Sequence, residues 1–262
     1  MMEASITQHF RPDEAPFIRQ VETWLSQVSG EYRPVLTDFL NPRQRYIIQT
    51  LTNRISDISF YEAGIFTNAE SQRVMLAPVY FTPEATDFEL SLLTLHYPIK
   101  FASLSHRSIL GALMHAGLKR TGVGDIVTDG QGQWQLATTK PLGQFISQQV
   151  DRVGRTKVSL TELDQGLALK PALNWQEETF TVAALRLDSV LAKVYHMSRN
   201  DAKHVVENGQ VRINWTECQR PDYTLGVRDL ISVRHFGRFK IVADNGLTKK
   251  EKIRLTVAVL KK

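Results

Sequence analysis

The segment 186–214 constrains the fold more than any other part of this sequence. It begins with apolar residues at the i, i+3, i+4 and i+7 spacing of one helix face, namely Leu187, Val190, Leu191 and Val194. A second helix is predicted to start at Ser198, because its hydroxyl can accept the Asp201 backbone N–H while the Asp201 carboxylate reaches back. Gly209 supplies the left-handed residue that ends this helix. The segment therefore predicts two short helices packed face to face, followed by a strand.

The surfaces of these elements can also be predicted. In the strand, Val211 and Ile213 point into the core while Arg212 lies in solvent. The buried side of the second helix is predicted to consist of Ala202, Val205 and Val206. Arg199 and Lys203 are four residues apart on another face of that helix. The segment thus combines an apolar core with fixed positive charges on its surface.

A family resemblance rests on these residues and on the segment that follows them. They are Arg186-Leu187-Asp188, Ser198-Arg199, Ala202, Gly209, Val211 and Asn214, then Asp229-Leu230-Ile231-Ser232-Val233-Arg234 and Gly237-Arg238-Phe239. In this order they resemble the S-four (S4) RNA-binding domain, which occurs in bacterial tyrosyl-tRNA synthetases and many pseudouridine synthases. The sequence departs from the pattern at Arg228, where glycine usually precedes the Asp, and at His235, where the YlmH-like subset of these domains usually has another glycine. The resemblance therefore leaves the turns at these two residues open.

Positive charge is concentrated in the C-terminal third of the chain. The chain contains 32 Lys plus Arg and 27 Asp plus Glu. Residues 182–262 hold 16 of these cations and 8 of the acids, and residues 1–181 hold the other 16 cations and 19 acids. The C-terminal part therefore carries +8 and the remainder −3. This asymmetry predicts a polyanionic partner for the C-terminal part. The lysines assigned instead to solubility, as a tail, are Lys249, Lys250, Lys252, Lys261 and Lys262.

Residues 1–72 predict a small α/β unit. Its expected elements are a helix over 12–30 with Gly30 as its terminator, a strand over 32–37, a helix capped by Asn41, and a strand over 55–61. Residues 74–81 are expected to form an added strand or a connector. The boundary to the next domain is therefore placed between residues 72 and 73.

Residues 73–161 predict the order βαββαβ. The expected elements are a strand over 88–96, a helix capped by Ser105, a hairpin of 125–128 and 133–138, a helix over 141–153 and a strand over 156–160. This is the order of the ferredoxin-like, RRM-like plait, which many RNA-recognition domains and many unrelated proteins use. Residues 162–180, with Pro171 and Glu177-Glu178, predict a linker, and 181–262 the S4 domain. The predicted fold class is α+β.

A second resemblance covers the full length of the chain. Its carrying residues are Asp38-Phe39-Leu40-Asn41-Pro42-Arg43, Gly64, Ala69-Glu70, Arg73, His106-Arg107-Ser108-Ile109-Leu110-Gly111-Ala112-Leu113, Gly117-Leu118-Lys119-Arg120 and Gly124-Asp125-Ile126. They resemble the YlmH-type proteins of bacteria, in which Arg is common at the position of Ser71. The resemblance implies an N-terminal domain, a plait-like RNA-binding domain and a C-terminal S4 domain. It also implies binding of large-subunit rRNA and P-site tRNA during ribosome-associated quality control.

The main alternative is an RNA-modifying enzyme. Pseudouridine synthases often carry S4 domains and use an Arg-Leu-Asp motif around a catalytic Asp, the position of Asp188 here. The motif continues here as Ser-Val-Leu and lacks the Thr-Ser-Gly of those enzymes, so we interpret it as part of the binding module. A methyltransferase has no support, because no Gly-x-Gly-x-x-Gly opens a helix after a strand. We predict no catalytic residue.

Metal and cofactor sites are not predicted either. The single cysteine, Cys218, excludes an internal disulfide, and the seven histidines lack paired ligand spacing. No apolar run approaches the ~20 residues that span a bilayer, and the N-terminus has no signal-peptide pattern. We therefore expect a cytoplasmic monomer without membrane contact.

The prediction is a non-catalytic RNA-binding protein acting on the large ribosomal subunit. Structured RNA is reached through its phosphates and 2′-hydroxyls, which requires fixed Arg and Lys side chains on a rigid frame. One such surface is predicted from Arg186, Ser198, Arg199, Lys203, Arg212, Asn214, Arg234 and Arg238. A secondary set in the plait consists of Arg107, Lys119 and Arg120. Direct contact is expected above all from Arg199 and Lys203, whereas Arg186 has a structural alternative, an ion pair with Asp188.

Overall fold

The computed structural model describes residues 10–171 and 175–261. Within these ranges the protein is a mixed α/β structure with antiparallel sheets. The chain divides into two compact units, Met1–Ala172 and Leu173–Lys262. In the part of the chain that the structure describes, no helix is both long enough and apolar enough to cross a bilayer.

The first unit begins with two helices and a three-stranded sheet. These elements are α1 (Ala15–Glu31), β1 (Val35–Leu40), α2 (Pro42–Thr52), β2 (Ile58–Ala63) and β3 (Gln72–Pro78), with the sheet order β1-β3-β2. Asn41 caps α2 as predicted, since its side chain accepts the Gln44 N–H at 2.8 Å and the Gln44 side chain accepts the Asn41 N–H at 3.0 Å. The helices cover the sheet through a core that includes Val21, Leu25, Ile47, Ile48, Leu51, Val74 and Leu76.

Two predictions in this region are corrected. Strand β3 is neither an added strand nor a connector, because it pairs with both β1 and β2 at the centre of the N-terminal sheet. Every residue of β3 after Gln72 is buried, so the strand lacks the alternation that marks an element with one open face. Helix α1 continues past Gly30, and Tyr32 takes the left-handed conformation (φ +53°) that ends it. Strand β1 consequently begins three residues later than predicted, at Val35.

The rest of the first unit contains a four-stranded sheet and two helices. Its elements are β4 (Leu90–His96), α3 (His106–His115), β5 (Val123–Thr128), β6 (Trp134–Thr139), α4 (Lys140–Gln149), β7 (Arg152–Val153), β8 (Thr156–Lys157) and β9 (Ser159–Leu163). The sheet order is β5-β6-β4-β9, with the first and third strands of the predicted βαββαβ series at its centre. Helix α4 ends earlier and the last strand starts later than predicted, because β7 and β8 form a separate hairpin between them.

One face of this sheet is covered by α3 and α4 and the other by the N-terminal sheet. Leu93 and Leu136 belong to the core shared with the helices. Their neighbours Leu92 and Ala137, 0% and 2% exposed, belong to a different core that includes Phe39 of β1. Gly124 is required at this junction, since a Cβ there would lie 2.7 Å from the Phe39 ring. The two parts of the first unit therefore share a hydrophobic core.

The second unit packs two helices on a six-stranded sheet. Its elements are β10 (Gln176–Val182), α5 (Leu187–Val194), α6 (Arg199–Glu207), β11 (Val211–Ile213), β12 (Thr216–Glu217), β13 (Leu230–Val233), β14 (Gly237–Leu247) and β15 (Ile253–Lys261), in the sheet order β10-β15-β14-β13-β11-β12. As predicted, Ser198 accepts the Asp201 N–H at 3.1 Å and Gly209 (φ +67°) follows the helix. The Asp201 carboxylate, however, accepts the Ser198 hydroxyl, at 2.7 Å.

Two further predictions are corrected in this unit. The predicted linker 162–180 overlaps β9 at its start and β10 at its end, so Glu177 and Glu178 are strand residues paired with β15. The predicted lysine tail is not a tail either. Lys249, Lys250 and Lys252 lie in the turn between β14 and β15, and Lys261 ends β15, whereas Lys262 lies outside the described residues. The overlap with β10 and the misplaced lysines have one cause, because β10 and β15 pair with each other across a long separation in sequence.

Candidate nucleic-acid interface

The eight residues predicted to contact RNA do not form one surface. In β11 and β14, Val211 and Phe239 point into the core beneath α5 and α6. Arg212 and Arg238 alternate with them and therefore lie on the opposite face of the sheet, which the helices leave open. The predicted helical residues lie on the other side of the unit, and they are Arg186, Ser198, Arg199 and Lys203. The prediction of a single surface is therefore corrected to a helix face and an open sheet face.

The helix face is organised by the buried carboxylate of Asp188, whose side chain is 5% exposed. Arg186 donates to both of its oxygens at 3.2 Å, and Arg199 donates to Oδ2 at 3.1 Å. Burial alone would raise the pKa of Asp188, but the hydrogen bonds and charges of these two arginines outweigh it and lower that pKa. The carboxylate stays ionised and holds together the first residue of α6 and the residue that precedes α5. The arginine side chains themselves remain 41% and 61% exposed.

A groove of about 250 Å³ lies beside this cluster. Three of its lining residues are cations, Lys193 from α5, Arg199 from α6 and Lys252 from the turn before β15. Ser189 also lines it, and Thr181, Val182, Ala183 and Ala192 complete the wall. Lys193 and Lys252 were not predicted as site residues. No local pattern marks them, because Lys252 reaches the helices only through the pairing of β10 with β15.

The remaining predicted residues of the helix face have internal roles. The Ser198 hydroxyl is used in capping α6, where it bonds both the backbone and the side chain of Asp201. Lys203 is 53% exposed and lies 3.6 Å from Glu207, one turn further along the helix. A surface pair of this kind is weak and readily exchanged for another anion. Lys203 therefore remains accessible to a polyanion, whereas Ser198 acts as a helix cap.

The open sheet face carries its own cationic row. Arg212 and Arg238 both lie opposite Ser232 of the strand between them, so they are two strand spacings apart. The Arg238 guanidinium lies 5.5 Å from the centre of the Trp175 ring, and the Lys240 ammonium lies 4.8 Å from it. Both are cation–π contacts, which hold the indole against the sheet. Trp175 and Lys240 were not predicted, because this packing depends on residues distant in sequence.

Comparison with known proteins agrees with this architecture. Residues 13–81 match the family described as "YlmH, N-terminal", residues 83–166 match "Putative RNA-binding domain in YlmH", and residues 185–231 match "S4 domain". The chain is also 40% identical to "Ribosome-associated protein quality control protein P2" of Bacillus subtilis (strain 168), over 97% of this chain and 98% of that protein. The chain belongs to the YlmH family. The solved structure "Cell division protein ylmH from Streptococcus pneumoniae" is 34% identical, with a TM-score of 0.53 over 61% of this chain and 96% of the other.

The departures at Arg228, from the usual S4 pattern, and at His235, from its YlmH-like subset, can now be placed in this YlmH-family protein. Arg228 and His235 have φ values of +71° and +72°, the left-handed region that glycine adopts most easily. The turns are thus formed as glycine would form them, at a cost of roughly 1–2 kcal/mol for each non-glycine residue. Asn214 supports the first turn, since its amide donates to Asp229 at 2.8 Å and its carbonyl accepts the Leu230 N–H at 3.0 Å. These bonds give Asn214 a structural role.

The other predicted residues are dispersed. Arg234 is exposed in the turn after β13. In the first unit, Arg107 lies at the start of α3, whereas Lys119 and Arg120 follow its other end, about 15 Å away for a ten-residue helix. Arg120 is partly buried and donates to the Val123 carbonyl. The secondary set is therefore not brought together.

Ser71 occupies the position where Arg is common in the YlmH family. It is 1% exposed, and its hydroxyl has no hydrogen-bond partner in the described ranges. Its backbone N–H donates to Asp125 at 3.1 Å, and the N–H of Glu70 donates to the other oxygen of that carboxylate at 2.8 Å. This position lies within the first unit and not on its surface.

Proposed function

We propose that this protein is a non-catalytic RNA-binding protein that acts on the ribosome. Within that function, we propose that it binds large-subunit rRNA and P-site tRNA during ribosome-associated quality control. The similarity to the Bacillus subtilis protein, whose name contains ribosome-associated quality control, supports the process. The S4 domain and the domain described as RNA-binding support the class of ligand.

The observation that carries this proposal is the helix face. Arg186 and Arg199 hold one buried carboxylate, Asp188, and Lys193 and Lys252 line the groove together with Arg199. This side of the unit therefore carries more cations than the Asp188 carboxylate neutralises. A phosphate is attracted by such a cluster, and the donors fixed by Asp188 are already oriented for it. Ser189 also lines the groove, and a serine hydroxyl is suited to hydrogen-bond a 2′-hydroxyl or a phosphate oxygen.

The same geometry favours binding over RNA modification. Asp188 is the counterpart, in the Arg-Leu-Asp motif, of a pseudouridine synthase's catalytic Asp. Here its two oxygens are occupied by Arg186, Arg199 and the Ser189 N–H, and its side chain is 5% exposed. A nucleophile must reach its substrate. An anchoring role for Asp188 is the simpler interpretation.

The test is a titration of full-length variants with ribosomal RNA and with tRNA at several salt concentrations. Each Lys or Arg that contacts a phosphate releases a counterion, so its removal weakens binding and lowers the salt dependence by about one charge equivalent. We expect this of Arg199→Ala, Lys203→Ala and Lys252→Ala. Lys249→Ala is the matched control, because Lys249 lies in the same turn as Lys252 but does not line the groove. It should change RNA binding much less.

Thermal melts of each variant distinguish lost contacts from lost folding. If Arg199→Ala and Lys252→Ala melt normally and still bind like Lys249→Ala, the helix face is not the RNA surface. The same RNA, digested to nucleosides and examined by mass spectrometry, tests the absence of catalysis. New pseudouridine or methylated bases that disappear in Asp188→Asn would favour the enzyme alternative.

A further inference from the structure

One end of the four-stranded sheet, here called the distal end, collects four segments. Ser159 at the start of β9 lies opposite His96 at the end of β4, so the segments that adjoin these residues meet there. The loop 97–105, the first turn of α3, the β5–β6 turn and the β7–β8 hairpin all lie at this end. The junction with the N-terminal sheet lies toward the opposite end, where Gly124 meets Phe39. The distal end is therefore a separate surface.

The loop at the distal end presents an aromatic side chain to solvent. Phe101 is 90% exposed and Ile99 is 49% exposed. The loop is nevertheless a built turn, since the Phe101 N–H donates to the Pro98 carbonyl at 2.9 Å and the Tyr97 hydroxyl donates to the Gly132 carbonyl at 2.7 Å. Ile99 packs so closely on the β5–β6 turn that a Cβ on Gly132 would lie 2.6 Å from it. Phe101 is thus held outward by a supported loop.

The charge around Phe101 is positive. The exposed cations at the distal end are Lys100, Arg107, Arg152, Arg155 and Lys157. The carboxylates at the same end are Asp129 and Asp151, which leaves a net +3. Asp129 already accepts the backbone N–H groups of Gln131 and Gln133 in its own turn. A polyanion is therefore the partner that this end attracts.

The centre of the four-stranded sheet is covered and does not present a surface to RNA. Plaits that bind RNA on the sheet stack bases on aromatic residues of their two central strands. Here the central residues Leu92 and Ala137 are buried in the core shared with the N-terminal sheet. RNA that contacts this part of the protein must therefore use another surface.

We infer that the distal end binds single-stranded RNA, with an unpaired base stacked on Phe101 and the surrounding Lys and Arg side chains on the phosphates. Aromatic platforms beside cationic grooves are the common means of holding single strands. A protein partner fits less well, because the centres of protein interfaces are depleted in charged residues and this aromatic residue is surrounded by them. The inference rests on the proposed function only in that the protein binds RNA.

The experiment uses the full-length chain carrying Arg199→Ala and Lys203→Ala, which weakens the helix face and leaves the distal end intact. Binding of a fluorescein-labelled single-stranded U-rich oligoribonucleotide is measured with and without Phe101→Ala. We expect Phe101→Ala to weaken the remaining binding by about 5-fold to 100-fold, the loss of one stacked base. Phe101→Trp should retain it. Phe145→Ala is the matched control, because Phe145 is an exposed phenylalanine (42%) in the middle of α4, which is not one of the four segments at the distal end.

Ultraviolet crosslinking of the same oligonucleotide, followed by peptide mass spectrometry, should place RNA on the peptide containing Phe101. Since Phe101 is almost fully exposed, its substitution should leave the melting temperature unchanged. Unchanged affinity of Phe101→Ala with no crosslink in 97–105 overturns the inference while leaving the proposed function intact. Unchanged RNA affinity with loss of binding to intact ribosomal subunits also overturns it, since the partner would then be a protein. If, in contrast, the helix-face variants bind RNA as well as the natural chain does, the proposed function is contradicted and the inference about the distal end is not.

Discussion

The carboxyl group of Asp125 is expected to make the first unit less stable as pH rises from 4 to 7. It lies in β5 and accepts the backbone N–H groups of Glu70 and Ser71, which precede β3. Burial raises its pKa to about 6, from an ordinary value of 3.8, and the charge of Glu70 adds to the effect. The two backbone hydrogen bonds and the charge of Arg120 oppose this shift without cancelling it.

The sign follows from proton binding. Between about pH 4 and pH 6 the folded protein keeps a proton on Asp125 that the unfolded chain has lost, so raising the pH favours unfolding. The pKa difference of about 2 units, at 1.36 kcal/mol per unit, corresponds to a loss of up to about 3 kcal/mol. Stability contributed by Asp125 is therefore complete below pH 4 and lost above pH 6.

The assay compares urea unfolding of the natural chain and Asp125→Asn at pH 4, 5, 6 and 7. Asparagine does not titrate, so the difference between the two free energies of unfolding isolates this carboxyl from all others. The variant has one oxygen fewer to accept a backbone N–H. This loss changes the difference by the same amount at every pH, so the dependence of the difference on pH is unaffected. We expect the difference to fall by about 2–3 kcal/mol in favour of the variant. A flat or rising difference would refute the reasoning, as would a carboxyl NMR titration of Asp125 with its midpoint near 4.

Two further predictions concern the turn at Arg228 and the division of the chain. Arg228→Gly should stabilise the second unit by up to about 1 kcal/mol in denaturant unfolding, since relief of about 1–2 kcal/mol is partly offset by a more flexible unfolded chain. Arg228→Ala removes the same charge but keeps a Cβ, and equal stabilisation by both variants would rule out backbone strain as the cause. For the proposed boundary between the units, chymotrypsin should cleave first within 164–175, where Leu167 is 63% exposed. Earlier cleavage outside 164–175, seen by mass spectrometry of the fragments, would contradict that boundary.

The parts of the fold that could be predicted are those specified by neighbours in the sequence. The caps at Asn41, Ser105 and Ser198 were predicted correctly because each side chain bonds a backbone N–H three residues away. The resemblance to the YlmH family and the S4 domain is confirmed for similar reasons, since it depends on short motifs in a fixed order. Strand β10 was misplaced because its partner β15 is distant in the chain, and the central place of β3 depends on its pairing with β1, from which α2 and β2 separate it.

In the candidate site, too, the residues that were not predicted are those brought in by contacts between distant parts of the sequence. Arg186, Arg199 and Lys203 were predicted from a helical motif, and the pairing of Arg186 with Asp188 was foreseen as an alternative. Lys252 was assigned to solubility, because only the β10–β15 pairing brings it beside Arg199. Alternation along β11 was predicted correctly. In β14, side chains also alternate between the two faces of the sheet, so Arg238 lies on the face away from the helices. This placement was not predicted from the sequence. Whether any of these residues contacts RNA remains a prediction.

The pairing of β10 with β15 also has a consequence during synthesis of the chain. From Val182 to Ile253 there are 71 positions, which take roughly 4–14 seconds to synthesise at ordinary rates of elongation. For that period β10 has been made but its partner strand has not, so its backbone groups are open to pairing with another chain. Unpaired strand edges are commonly protected by charge. Glu177 and Glu178, which in sequence resembled linker residues, are well placed to keep nascent β10 soluble until β15 arrives.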